Sequence, residues 1–134
     1  MSNIFGNIDI MTKALNASWK RNEVISNNIA NVDTPNFKKS HVKFEELLHS
    51  YLQNDSIPGK TTHDNHIRIG VSSIEDINYK ITTPQNYKTR RDGNNVDIDV
   101  EMAELAKNTI TYDALSTRIN GNFKKLKTVI NEGR

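Results

Sequence analysis

The sequence predicts a mainly α-helical chain whose long N- and C-terminal helices form an antiparallel, coiled-coil-like hairpin around a small polar middle. Two heptad stripes predict the helices, one at each end, and a proline- and glycine-bearing segment between them predicts the break. Ile4, Ile8, Met11, Leu15, Ser18, Asn22, Ile25 and Ile29 follow one another at alternate spacings of four and three. That spacing lines one face of a supercoiling helix. Ser18 and Asn22 interrupt the stripe with polar groups. Asp33-Thr34-Pro35 ends the helix, because proline lacks an N–H and disfavours helical geometry in the residue before it. The N-terminal helix is therefore expected over residues 3–31.

The second stripe is longer. Ile98, Met102, Leu105, Thr109, Tyr112, Ser116, Ile119, Phe123, Leu126 and Ile130 alternate four and three without a break, giving a helix over residues 97–131. Asp97 or Asp99 can cap its start, and Glu101 stands in the first turn, where the helix dipole favours negative charge. Lys124, Lys125 and Lys127 lie towards the other end, and Gly133 is the stop. Gly121 marks a bend or a close backbone approach.

Residues 32–96 form the variable middle of a single 134-residue domain. Phe44, Leu47, Leu48, Tyr51 and Leu52 fit a short amphipathic helix. Ile67-Arg68-Ile69-Gly70-Val71 and Ile77-Asn78-Tyr79-Lys80-Ile81 alternate like strands and are expected to pair as a hairpin. The residues flanking them are polar and carry Pro58, Gly59, Pro84 and Gly93, so they read as loops.

Composition limits the function classes. Only 35% of residues are hydrophobic, and the mean hydropathy of −0.67 points to a small core. The charge of +2, with no long basic cluster, argues against nucleic acid. There is no cysteine for a disulfide or thiolate site. No apolar run reaches the ~20 residues of a membrane span, and Met1-Ser2-Asn3-Ile4-Phe5-Gly6 does not resemble a cleaved secretory leader. His63 and His66 have ligand-like spacing, but only Asp64 stands beside them, so a solvated loop is expected rather than a metal site. Asp92, Asp97 and Asp99 lack the glycine and glutamate spacing of a calcium loop and read as turn and cap residues. No nucleophile–base motif, phosphate-cradling glycine loop or paired-carboxylate site is evident, so no catalytic residue, cofactor or small-molecule substrate is assigned. Ile10, Val24, Ile110, Leu115 and Val129 fall off the two stripes and are expected to be exposed on a monomer. A helical pair with such an apolar surplus looks built for assembly.

Ser26-Asn27-Asn28-Ile29-Ala30-Asn31-Val32-Asp33-Thr34-Pro35-Asn36-Phe37-Lys38 closely resembles the signature of the flagellar rod and hook protein family. Its matching positions are Ser26, Asn27, Asn28, Ile29, Ala30, Asn31, Thr34, Pro35 and Phe37. Asn36 stands where the family usually has glycine, and asparagine is the next-best residue for a left-handed backbone. Asp92-Gly93-Asn94-Asn95-Val96-Asp97-Ile98-Asp99-Val100-Glu101-Met102 and Phe123-Lys124-Lys125-Leu126-Lys127 resemble the proximal rod branch of that family.

The resemblance implies a structural subunit, not an enzyme. It implies export without a cleaved leader through the flagellar type III apparatus, followed by polymerisation into the hollow, extracytoplasmic shaft of the basal body. The implied partners are further copies, FlgC-like and FlgF-like rod proteins, a FliE-like adaptor and export-gate proteins. Alternatives are an FlgC-type subunit, or a cytosolic helical-hairpin adaptor or export chaperone. Asn22 is open to two roles, setting the helix register or bonding a neighbouring subunit. Trp19 is open to a subunit contact or simple exposure.

Overall fold

The computed structural model describes residues 2–52, 77–84 and 90–132. Helix α1 spans Ser2–Ala30, strand β1 His41–Lys43, helix α2 Glu45–Leu52, strand β2 Lys80–Thr82 and helix α3 Ile98–Glu132. The two long helices lie side by side and antiparallel. Met11 of α1 touches Asn122, Ser18 touches Asn108, and Asn28 touches Glu101, so rising numbers on α1 meet falling numbers on α3.

Local chemistry accounts for the start of α3. Asp97 caps it, its Oδ1 accepting the N–H groups of Asp99 and Val100 at 3.0 and 3.3 Å. The helix runs through Gly121 to Glu132. A Cβ at Gly121 would meet nothing within 4 Å, so of the bend or close approach expected there, no close approach is made by the described residues.

The middle segment builds a second layer on α1. Ala17, Phe44 and Ile77 form a small buried cluster, with Ala14, Leu48 and Tyr51 packed against it. Ala17 has no bulk beyond Cβ, which lets Phe44 seat against the helix. Full burial of Phe44 and Ile77 is worth roughly 1.5–3 kcal/mol each. Helix α2 begins directly after Phe44, whose carbonyl accepts the Leu48 N–H at 2.9 Å, while Leu52 at its far end stays exposed.

The small sheet is antiparallel and two-stranded among the described residues. β2 pairs with β1, with Val42 opposite Ile81, and residues 67–71 lie outside the described residues. β2 overlaps the expected strand over 77–81 only at Lys80 and Ile81. β1 is only three residues long and carries no apolar repeat. Its second edge is closed by α1: Asn28 bonds the N–H and C=O of Ser40 at 3.0 and 2.9 Å, and Arg21 Nη2 reaches the Val42 carbonyl at 3.5 Å. Side-chain capping of an open strand edge in this way removes a template for stray pairing.

Val24 corrects a second expectation. It is buried, because it shares a helix face with Arg21 and Asn28, the two residues that tie α1 to β1. Ile110 and Val129 are exposed as expected, and Ile10 and Leu115 are half-buried.

Candidate assembly site

Both sequence motifs meet at one end of the hairpin. After Ala30 the chain turns, with Asn31 N–H bonded to the Asn27 and Asn28 carbonyls at 3.2 and 3.1 Å and Thr34 N–H bonded to the Asn31 carbonyl at 3.1 Å. The Thr34 hydroxyl donates to Asn31 Oδ1 at 3.2 Å. Asn36 then takes a φ of 60°, the left-handed turn that its small polar side chain tolerates.

Asn94 plugs this corner. Fully buried, its Nδ2 donates to the carbonyls of Asn31, Val32 and Thr34 at 2.9, 3.0 and 2.9 Å. An amide group has two N–H bonds, so three acceptors require one to be shared. Its Oδ1 accepts Val96 N–H at 2.7 Å, and its own N–H bonds Asp92 Oδ1 at 3.1 Å. Arg90 adds a bond to the Val32 carbonyl at 3.0 Å, Asn36 N–H bonds the Asp92 carbonyl at 3.0 Å, and Lys38 Nζ donates to the Gly93 carbonyl. Gly93 has a φ of 79°, and a Cβ there would fall 2.5 Å from Asn36 Oδ1. Glycine is therefore required by the backbone, whereas the end of the exposed Asn36 side chain could swing aside.

One step further in, the polar network enters the helix seam. Asn28, buried, donates to Glu101 Oε2 at 3.0 Å as well as to Ser40. Glu101, also buried, receives Lys39 Nζ on its other oxygen at 3.4 Å, while Lys39 N–H bonds Asn95 Oδ1 at 2.7 Å. Farther along, Ser18 Oγ donates to Asn108 Oδ1 at 2.9 Å and Asn108 Nδ2 donates to the Ser18 carbonyl at 2.8 Å. Among the described residues no buried side-chain polar atom lacks a partner.

Two titrating groups border the seam. Burial pushes the His41 imidazole below its ordinary pKa, and the Lys39 ammonium adds to this against the opposing pull of Glu101 and Glu104. At Glu45, partial burial raises the carboxyl, but the Arg21 hydrogen bond at 2.6 Å and charge outweigh it, leaving the group below its ordinary value.

The signature residues divide by role. Asn28 is buried, and Ile29, Asn31 and Phe37 are partly so. Ser26, Asn27, Ala30, Thr34 and Pro35 are exposed on the outer side of the corner. Of the stripe residues, Ile8, Ile25 and Ile119 are buried, and Met11, Leu15, Leu105, Tyr112 and Leu126 are half-buried. Ile4 lies in the first turn of α1. Ile98, Met102, Phe123 and Ile130 are exposed, and so are Trp19 and Asn22. Asn94, Asn95, Lys39, Ser40, Arg90 and Asn108 were not read as site residues from sequence. The one available signal was Ser18, a polar break in an apolar stripe that demands a polar partner. His63 and His66 lie outside the described residues, and among the described ones no three acidic or histidine side chains cluster as a metal site.

Two long helices clasped at one end by paired asparagine-rich turns, with apolar rows left outside, define a helical-hairpin structural subunit. Residues 8–38 match the family model described as flagella basal body rod protein. Across its whole length the chain is 40% identical to the whole of the flagellar basal body rod protein FlgB of Bacillus subtilis. It is 34% identical to FlgB of Borrelia hermsii over 96% of this chain and 98% of that one. It is 31% identical to FlgB of Aquifex aeolicus over 95% and 94%. The chain belongs to the flagellar basal body rod protein family, a family of structural subunits and not an enzyme class. No described helix is long and apolar enough to cross a membrane.

Proposed function

We propose that the chain is a proximal rod subunit. It is exported through the flagellar type III apparatus, and polymerises on the periplasmic side into the hollow shaft that carries motor torque. One observation carries this: α3 leaves Ile98, Met102, Ile110, Phe123, Val129 and Ile130 exposed along the hairpin. Apolar surface on that scale marks a partner site. Repeated contacts between such sites that do not close on themselves build a tube. Its partners are further copies of itself, FlgC-like and FlgF-like rod proteins, and a FliE-like adaptor with export-gate proteins at the base. The whole of 1–134 acts as one unit.

Fractionation tests the proposal. A tagged chain is expected to remain with detergent-resistant basal bodies, and its deletion to abolish swimming. A chain that washes entirely into the soluble fraction would instead be an adaptor or chaperone, and the rod assignment would fail.

A further inference from the structure

Within the hairpin, α3 turns a polar row inwards and an apolar row outwards. Glu101, Asn108, Leu115 and Asn122, seven residues apart, face α1 alongside the row of Leu105, Tyr112, Ile119 and Leu126. The row of Met102, Thr109, Ser116, Phe123 and Ile130, with three apolar members against one in the polar row, is exposed except at half-buried Ser116. At 3.6 residues per turn, the face in use is rotated by about 50° from the face that the apolar spacing favours. On apolar area alone α1 should have taken the outer face.

Polar complementarity distinguishes the two. Asn108 and Ser18 exchange two hydrogen bonds at 2.9 and 2.8 Å, and Asn28 and Lys39 close on Glu101 at 3.0 and 3.4 Å. We infer that Ser18, Asn28, Glu101 and Asn108 are specificity-determining residues. They select which face of α3 meets α1 and in which heptad register, and so hold the apolar row outside. This deepens the rod-subunit proposal and rests on it only for what finally covers that row.

Each competing arrangement loses a bond. Rotating α3 to its apolar face sets Met102 and Thr109 near Asn28 and Ser18, whose buried groups lose Glu101 and Asn108. Slipping one heptad one way puts Leu115 against Ser18 and takes the carboxylate from Lys39. Slipping the other way puts Glu101 against Ser18, and a carboxylate accepts but cannot donate to the Ser18 carbonyl as Asn108 does. Buried polar pairs of this kind fix register in coiled coils at some cost in stability.

The chain has no cysteine, so two introduced ones can be spin-labelled alone. Asn16→Cys and Thr117→Cys place labels on exposed sides of α1 and α3. The purified chain with native rungs is expected to give one narrow distance. With Glu101→Leu and Asn108→Leu added, the thermal midpoint is expected to hold or rise while the distances split, the populations differing by up to about 10 Å for a one-heptad slip. Glu101→Leu alone, which keeps the Ser18–Asn108 pair, is expected to retain one dominant distance. One unchanged distance in the double variant overturns the inference. So does unfolding of the double variant, because the polar groups would then serve stability, and so does a broad distribution in the native-rung chain. All readings are made on purified protein, so they stand apart from whether the chain is found in basal bodies.

Discussion

The Asn28 amide on α1 donates to the Glu101 carboxylate on α3 across 3.0 Å, joining residues that stand 73 apart in the chain. The same amide group also donates to Ser40 beside β1, so one side chain ties three elements together. With Asn94 beyond it, this makes the corner a continuous polar network, and the following outcomes are expected of it and of the surfaces around it.

Asn94→Ala removes one donor from each of the carbonyls of Asn31, Val32 and Thr34, which keep Thr34 N–H, Arg90 and Phe37 N–H, and it leaves the buried Val96 N–H without its Oδ1 acceptor. The loss is expected to be on the order of 1–3 kcal/mol, the cost of one unsatisfied buried group. Urea unfolding followed by circular dichroism measures it, and a shift within error would mean that the corner is not rigid in solution.

Gly93→Ala meets both a left-handed backbone and the Asn36 side chain. A cost of at least about 1–2 kcal/mol is expected from the backbone alone. The double change Gly93→Ala with Asn36→Gly removes the clash but not the φ penalty, so it should recover only part of the loss.

Assembly and folding separate on α3. Phe123→Asp changes an exposed residue and is expected to leave the monomer's unfolding midpoint within about 0.5 kcal/mol of the parent, yet to abolish swimming. Ile119→Asp places an unpaired charge in the buried seam and should lower monomer stability by several kcal/mol, roughly the cost of lost burial plus desolvation. Lys107→Asp, on an exposed side chain, is the control and should swim. Swimming and basal-body yield, read beside the midpoints, decide the matter: normal rods with Asp at 123 would remove this face from the assembly surface.

Acid should weaken the fold in two windows. The folded state holds His41 below its ordinary 6.5, so above that value both states are neutral and nothing is lost. As pH falls through 6.5, the unfolded chain takes its proton first and stability declines until the folded pKa is passed. Glu45 is also depressed, so its contribution is present above its ordinary 4.5 and disappears as pH falls below that value through the folded pKa. Both groups are partly exposed, and the effects are correspondingly screened. His41→Gln should flatten the stability profile between pH 7 and 5 relative to the parent, measured by urea midpoints, whereas an unchanged slope would assign the loss to other groups.

Replacing His63 and His66 together by Ala is expected to leave swimming and protein level unchanged, since the sequence around them offers only Asp64 as a further ligand. Swimming lost at normal protein level would point to a metal.

The helices were legible because their signals are local. The four-and-three spacing, the stop at residues 33–35 and the Asp97 cap each act within a few residues, and α1 and α3 begin and end within a residue or two of where those signals put them. The left-handed turn at Asn36 was expected from the glycine that the resembled family usually has there. What needed the tertiary structure was every choice between partners far apart in sequence. β1 exists because β2 lies on one side of it and Asn28 and Arg21 on the other, which no alternation within three residues could announce. Asn94 becomes the centre of the corner only once Asn31 and Thr34 turn their carbonyls towards it. Periodicity placed Ile98, Leu105, Tyr112, Ile119 and Leu126 in one row of α3, of which Ile98 is exposed, and could not decide which neighbouring row joins it. Hydrophobic burial is proportional to area and indifferent to direction. Hydrogen bonds are directional, and Ser18 and Asn28 chose Asn108 and Glu101 over the more apolar face.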